Sequence, residues 1–70
     1  MIRIYLSRLL GERRVTQKDL SKKTGIRIAT INEYYNELSD RINLEHLDKI
    51  CEVLGCELGE LIQRVPNKKV

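Results

Sequence analysis

The chain has 70 residues, 41% of them apolar, with three Tyr and no Phe or Trp, so it is one small domain whose core must be Leu, Ile and Val. A domain of this size buries only roughly 60% of its unfolded surface, which argues against a deep cleft for a small-molecule substrate; an 18-residue apolar run and a secretory leader are also missing. The net charge of +3 is uneven: residues 1–42 hold nine Lys/Arg and five Asp/Glu, residues 43–64 hold two and five, and Lys68 and Lys69 supply the remainder, so +4, −3 and +2 give +3 and the first end suits a polyanion.

Apolar residues recur at helical spacing in five blocks. Ile2, Leu6, Leu9 and Leu10 predict a first helix over about 5–13. Ile2-Arg3-Ile4 also alternates, so residues 1–4 stay open between a helical lead-in and a short extended segment. Thr16 is a good N-cap for a second helix over about 16–23, with Asp19 at the capping-box position and Gly25 able to end it in a left-handed conformation. The third helix is expected over about 28–38. At about 100° per residue, Ile31, Tyr34, Tyr35 and Leu38 share its buried sector, while Ala29, Asn32, Glu33 and Asn36 share the opposite side and Ile28 sits at the seam. Asn43 caps a fourth helix over about 44–54 with an apolar face of Leu44, Leu47, Ile50, Cys51 and Leu54, and Gly55 stops it. Leu58, Leu61 and Ile62 predict a short fifth helix over about 58–63, ended before Pro66. Residues 1–4 could instead pair with 62–65 as strands. Lys68 and Lys69 read as a frayed tail.

Gln17 to Tyr34 is the stretch that carries chemistry. A helix of about eight residues, a short turn holding Gly25 and a second helix make a helix-turn-helix pattern. Leu20, Ile26, Ile31 and Tyr34 anchor both helices to the core, and Ser21 is small where the helices cross. At Val15-Thr16-Gln17-Lys18-Asp19-Leu20-Ser21-Lys22-Lys23-Thr24-Gly25-Ile26, then Thr30-Ile31 and Tyr34, the chain resembles the Cro/C1-type (XRE, phage-repressor) helix-turn-helix family. Leu44, Leu47, Ile50, Cys51, Leu54, Gly55 and the Leu58–Ile62 segment extend the likeness to its short single-domain branch, over about residues 5–64.

The resemblance implies an all-α, five-helix repressor-like domain that inserts its third helix into the DNA major groove. It implies phosphate contacts from Gln17 and the neighbouring Thr16, base-facing positions at Arg27, Ile28, Ala29, Asn32 and Glu33, and backbone contacts at Asn36 and Arg41. The residue chemistry agrees. Arg27 suits guanine O6 and N7 or a phosphate, Asn32 suits adenine, Glu33 accepts from cytosine N4, and Ile28 and Ala29 suit a thymine methyl. Lys18, like Gln17, Thr16 and Arg41, would position the domain on phosphates without reading sequence.

The family pattern is departed from in places. Ser or Thr usually caps the third helix where Arg27 stands; Leu10 and Tyr35 replace an Arg–Glu pair, which points to an apolar contact; and Glu37 replaces a helix-ending Gly, so the helix is expected to run on toward Leu38. Glu33 would repel phosphate.

Other chemistries fare worse. His46, Cys51 and Cys56 are too few and too widely spaced for zinc, with His46 about 140° from Cys51 around the helix. Cys51 reads as a small core hydrophobe, Cys56 as semi-buried, and a disulfide between them is not expected. His46, with Asp48 beside it on a surface-turned sector, has no nucleophile to serve, and no Gly-rich phosphate loop exists, so no enzyme and no cofactor are expected. Tyr34 and Tyr35 read as core. The rival function is a protein-interaction module of the same fold (antitoxin, antirepressor or adaptor), its partner surface the acidic Glu45, Asp48, Glu52, Glu57 and Glu60. The sequence thus points to a cytoplasmic regulator of bacterial or prophage origin that binds double-stranded DNA as a homodimer, with no membrane or small-molecule partner. The dimer surface is expected either at the fifth helix with Val65 or at Ile2–Ile4.

Overall fold

The two ends of the chain meet. In the computed structural model, which describes residues 1–66, strand β1 (Ile2–Ile4) pairs antiparallel with β2 (Ile62–Arg64). The register sets Ile2 opposite Arg64, Arg3 opposite Gln63 and Ile4 opposite Ile62. Backbone bonds from Tyr5 N to the Leu61 oxygen at 2.7 Å and from Val65 N to the Met1 oxygen at 2.8 Å extend the ladder at both ends. The alternation at Ile2–Ile4 therefore marks a strand, and the pairing with residues 62–65 holds. Lys68 and Lys69 lie outside the described residues.

Between the strands lie the five expected helices: α1 (Leu6–Arg13), α2 (Gln17–Thr24), α3 (Ile28–Tyr35), α4 (Leu44–Leu54) and α5 (Leu58–Leu61). Local signals set most of their ends. The Thr16 hydroxyl accepts from Asp19 N at 3.0 Å, and Asn43 Oδ1 accepts from Glu45 N at 2.8 Å, satisfying amides that a helix start leaves unpaired. Gly25 and Gly55 end α2 and α4 with φ of 77° and 64°, a region that costs glycine nothing. Arg13 Nε donates to the Leu54 carbonyl at 2.7 Å, tying the end of α1 to the end of α4.

The core gathers Leu6, Leu9 and Leu10 of α1, Leu20 of α2, Ile26, Ile31 and Tyr34 of the helix-turn-helix, Leu47, Ile50 and Leu54 of α4, and Leu61 of α5. Burial of each large aliphatic side chain is worth about 1.5–3 kcal/mol, which is how a chain this short holds five helices together.

Several expectations need correction. The third helix stops at Tyr35 rather than Leu38, because Glu37 turns the chain with φ of 55°. Leu38 then leaves the apolar sector and is exposed. The fifth helix ends at Leu61, since Ile62 is taken into β2. Leu44, placed on the buried face of α4, is 78% exposed at its first turn. Tyr35 is half-buried, packed against the core rather than within it. His46 is half-buried too, not turned to the surface: its Nδ1 lies 2.8 Å from the Tyr34 hydroxyl, and the two rings meet edge-on.

Candidate nucleic-acid interface

The turn between α2 and α3 is locked by its own short polar side chains. Ser21 Oγ donates to the Ile26 carbonyl at 2.6 Å. The buried Thr24 hydroxyl donates to the Leu20 carbonyl at 2.7 Å and accepts from Ile26 N at 3.2 Å. Ser21 thus does more than stay small: it and Thr24 satisfy backbone groups that a tight buried turn would leave without partners. With Leu20, Ile26 and Ile31 buried on the inner side, the angle between the two helices is fixed by both packing and hydrogen bonds.

That angle presents one side of α3 outward. Ala29, Asn32, Glu33 and Asn36 are exposed, and Ile28 is 50% exposed, while Ile31 and Tyr34 point into the core. The helical spacing read from the sequence therefore separates Ile31 and Tyr34 from the exposed side, while Tyr35 is half-buried and Leu38 lies beyond the helix and is exposed. Arg27 occupies the N-cap position of α3 without a side-chain capping bond, leaving its guanidinium at the end of this exposed side. Thr16 precedes α2 as its cap, and Gln17 and Lys18 form its first turn.

Some of these residues meet and others do not. Asn32 Nδ2 donates to Gln17 Oε1 in a long hydrogen bond of 3.4 Å, so the start of α2 lies beside the middle of α3. Asn36 Nδ2 donates to the Asn32 carbonyl at 3.0 Å, completing a polar row along the helix. Leu10 and Tyr35 line one surface hollow with Val15 and Gln17, so apolar surface stands where the family pattern has an ion pair. Arg41 lies apart, in the loop before α4. It borders an apolar groove with Ile2, Ile4, Ile42 and Ile62, and its backbone is turned by Ser39, whose hydroxyl donates to the Arg41 carbonyl.

Residues 1–42 carry nine Lys/Arg against five Asp/Glu, a surplus that favours an anion on this half of the chain. Among the described residues, Lys18, Lys22, Lys23, Arg27 and Arg41 have no ion-pair partner, and neither do Arg14, Lys49 and Arg64, whereas Arg3, Arg8 and Arg13 are paired with Glu37 or Glu12. Cations left without partners keep their full field for a polyanion.

Sequence reasoning missed Glu37 and Arg3. Arg3 Nε and Nη2 donate to the two Glu37 carboxylate oxygens at 2.8 and 2.9 Å, and Ile4 N donates to Oε1 at 3.0 Å. The hydrogen bonds from Arg3 and then from the Ile4 amide hold the Glu37 carboxyl below the ordinary carboxylate range. The available signal was the acid itself, standing where a helix of this kind usually ends in glycine.

No group of three or more His, Cys, Asp or Glu among the described residues could hold a metal ion, and Cys51 and Cys56 are free thiols. No helix of the described residues is long and apolar enough to cross a membrane.

Comparison with known proteins agrees with this geometry. A family model described as the Cro/C1-type HTH DNA-binding domain matches residues 5–67. The chain is 29% identical over 60 residues to the uncharacterized HTH-type transcriptional regulator YozG of Bacillus subtilis (strain 168), covering 86% of this chain and 71% of that one. A crystal structure from Bacteroides fragilis, described as that of a candidate DNA-binding protein, superposes with a TM-score of 0.81 at 25% identity, over 90% of this chain and all of that one.

Proposed function

The chain belongs to the Cro/C1-type helix-turn-helix DNA-binding domain family, and on that premise we propose that it is a sequence-specific transcriptional regulator, acting as a repressor in the cytoplasm. In this reading α3 enters the major groove. Arg27, Ile28, Ala29, Asn32 and Glu33 face bases, and Thr16, Gln17, Lys18, Asn36 and Arg41 hold the backbone. The observation that carries it is the Gln17–Asn32 contact. One amide at the start of α2 and one on the outer side of α3 are held together, which suits a phosphate grip and a base contact made at once.

One module of this kind covers only ~600–1,000 Å² on DNA. A homodimer reading two half-sites about 34 Å apart supplies the missing affinity. The sheet side is the surface proposed for it: Ile2 is 61% exposed, and with Ile4, Ile42 and Ile62 it lines an apolar groove. The DNA reading is tested by selecting duplexes from a randomised pool. Enrichment of a two-fold symmetric sequence supports it, and recovery of an unenriched pool contradicts it.

A protein-interaction role has one observation in its favour. Leu44 and Leu58, 78% and 49% exposed, border a groove rimmed by Asp48 and Glu57. The same face carries no DNA-reading residue, so it is compatible with a regulator that also meets a protein partner.

A further inference from the structure

We propose that Arg3 and Glu37 are a positioning pair for DNA recognition: their contact pins the end of α3 to the first strand and so sets the tilt at which the outer side of α3 meets the duplex. The proposal rests on the DNA-binding reading above and adds β1 to the recognition apparatus.

Glu37 is locally the wrong residue for its place. It follows the C-cap Asn36 with φ of 55°, a left-handed conformation that favours glycine. There its N–H donates to the Tyr34 carbonyl at 3.2 Å, and Leu38 N donates to the Glu33 carbonyl at 2.9 Å, the paired bonds that close a helix C-terminus. An acid at this end also meets the negative pole of the helix dipole. Next to a bound duplex it would be repelled by phosphate. Backbone strain, dipole and ligand charge all argue against a carboxylate here.

What favours it is tertiary. Both oxygens of Glu37 are engaged by β1: Oε1 takes Arg3 Nε at 2.8 Å and Ile4 N at 3.0 Å, and Oε2 takes Arg3 Nη2 at 2.9 Å. The fork-to-fork geometry fixes direction as well as distance. Arg3 is itself restrained, lying 5.8 Å from the centre of the Tyr5 ring. The strand it belongs to is held by β2 and by the Tyr5–Leu61 backbone bond. The end of α3 is thereby fixed to the two-stranded sheet, while its middle is fixed by Ile31 and Tyr34 in the core. Attachment at two separated points sets a tilt, which burial at one point leaves free.

An ordinary surface ion pair would matter little. Two roles can be separated because they predict opposite signs. If Glu37 were only a charge near DNA, Glu37→Gln would remove a repulsion and tighten binding. If Glu37 positions α3, Glu37→Gln weakens binding about two- to tenfold at fixed salt, with an unchanged slope of affinity against salt, since no phosphate contact is lost. Glu37→Gly serves as the second variant. It relieves the left-handed backbone, which offsets part of what the lost Arg3 and Ile4 bonds contributed, and it should weaken binding in the same way. Arg3→Lys keeps the charge without the fork and should fall between wild type and Arg3→Gln.

The experiment is fluorescence anisotropy with a short mixed-sequence duplex over a salt series, paired with amide hydrogen exchange of the free proteins. Weaker binding by Glu37→Gln and Glu37→Gly at equal slope, with faster exchange at Ile4 and Leu38, is the expected result. Equal or tighter binding by both variants overturns the proposal, as does an Arg3→Gln slope reduced by about one, which would make Arg3 a direct phosphate contact. If the wild type fails to bind at about 50 mM salt, the DNA-binding reading itself falls and the proposal with it; the exchange data separately report whether the contact holds the helix end.

Discussion

The side-chain amide of Asn32 donates to the side-chain Oε1 of Gln17 across the turn of the helix-turn-helix, at 3.4 Å. One residue starts α2, the other stands on the outer side of α3, and the bond makes them a unit. The Gln17 NH2 group stays available to a phosphate while its oxygen orients Asn32. On the proposed DNA-binding reading, Gln17→Ala would remove a phosphate grip and loosen a base-facing residue. Affinity should fall for every duplex, and discrimination at the Asn32 position should fall as well. Binding measured on duplexes varied one base pair at a time checks both effects.

Arg27 carries the most specific expectation. Its guanidinium has no ion-pair partner among the described residues and stands at the exposed start of α3. Arg27→Ala should weaken binding and flatten preference at one base pair, where a bidentate contact to guanine is worth about 1–3 kcal/mol of discrimination. If affinity and preference both survive, the end of α3 assigned to the groove is the wrong one.

These helix ends were legible in the sequence in proportion to how local their causes are. Thr16, Asn43, Gly25 and Gly55 act through bonds or dihedrals within a few residues, and the structure has each where the sequence implies it. The end of α3 carries an acid whose partner, Arg3, is thirty-four positions away, so the sequence marks the position without showing what holds it. His46 differs from its expected surface position for a similar reason. Helical angle alone places it on α4, but its partner, Tyr34, comes from another helix. The outward Ala29–Asn36 side of α3 was legible because periodicity is an intrinsic property of the helix. The roles of its residues toward DNA depend on a partner molecule and are not written in spacing.

Tyr34 links α3 to the start of α4. Its hydroxyl lies 2.8 Å from His46 Nδ1 and accepts from Asn43 N at 3.4 Å. Tyr34→Phe keeps the buried ring and loses both bonds. The expected cost is ~1 kcal/mol. In a domain of this size that lowers the melting temperature by roughly 4–8 °C. Thermal unfolding followed by circular dichroism measures it, and an unchanged midpoint would show that the hydroxyl contributes nothing.

Cys51 should be a slow thiol. Burial, and next the neighbouring Cys56, push its pKa from the usual 9.0 up to about 11, so the reactive thiolate is scarce near neutrality. The raised value also sets a sign. The folded state holds this proton more tightly than the unfolded chain, so the stability linked to it is complete below the unfolded pKa and fades as pH rises through that value toward about 11. Alkylation of Cys51, read by mass spectrometry, should be slow at pH 8 in the native protein, fast in urea, and accelerate in native protein only above pH 9. Equal rates in native and unfolded protein at pH 8 would contradict the burial of this thiol.

The measurement that bears most directly on function is an amide NMR titration of the wild-type protein with a short mixed-sequence duplex at about 50 and 200 mM salt, a range over which binding through several phosphates weakens steeply. The expected result is a set of shifts concentrated at Thr16–Lys18 and Arg27–Asn36, strong at the lower salt and faded at the higher. Shifts absent at the lower salt, or centred instead on Leu44 and Leu58, would contradict DNA recognition through α3.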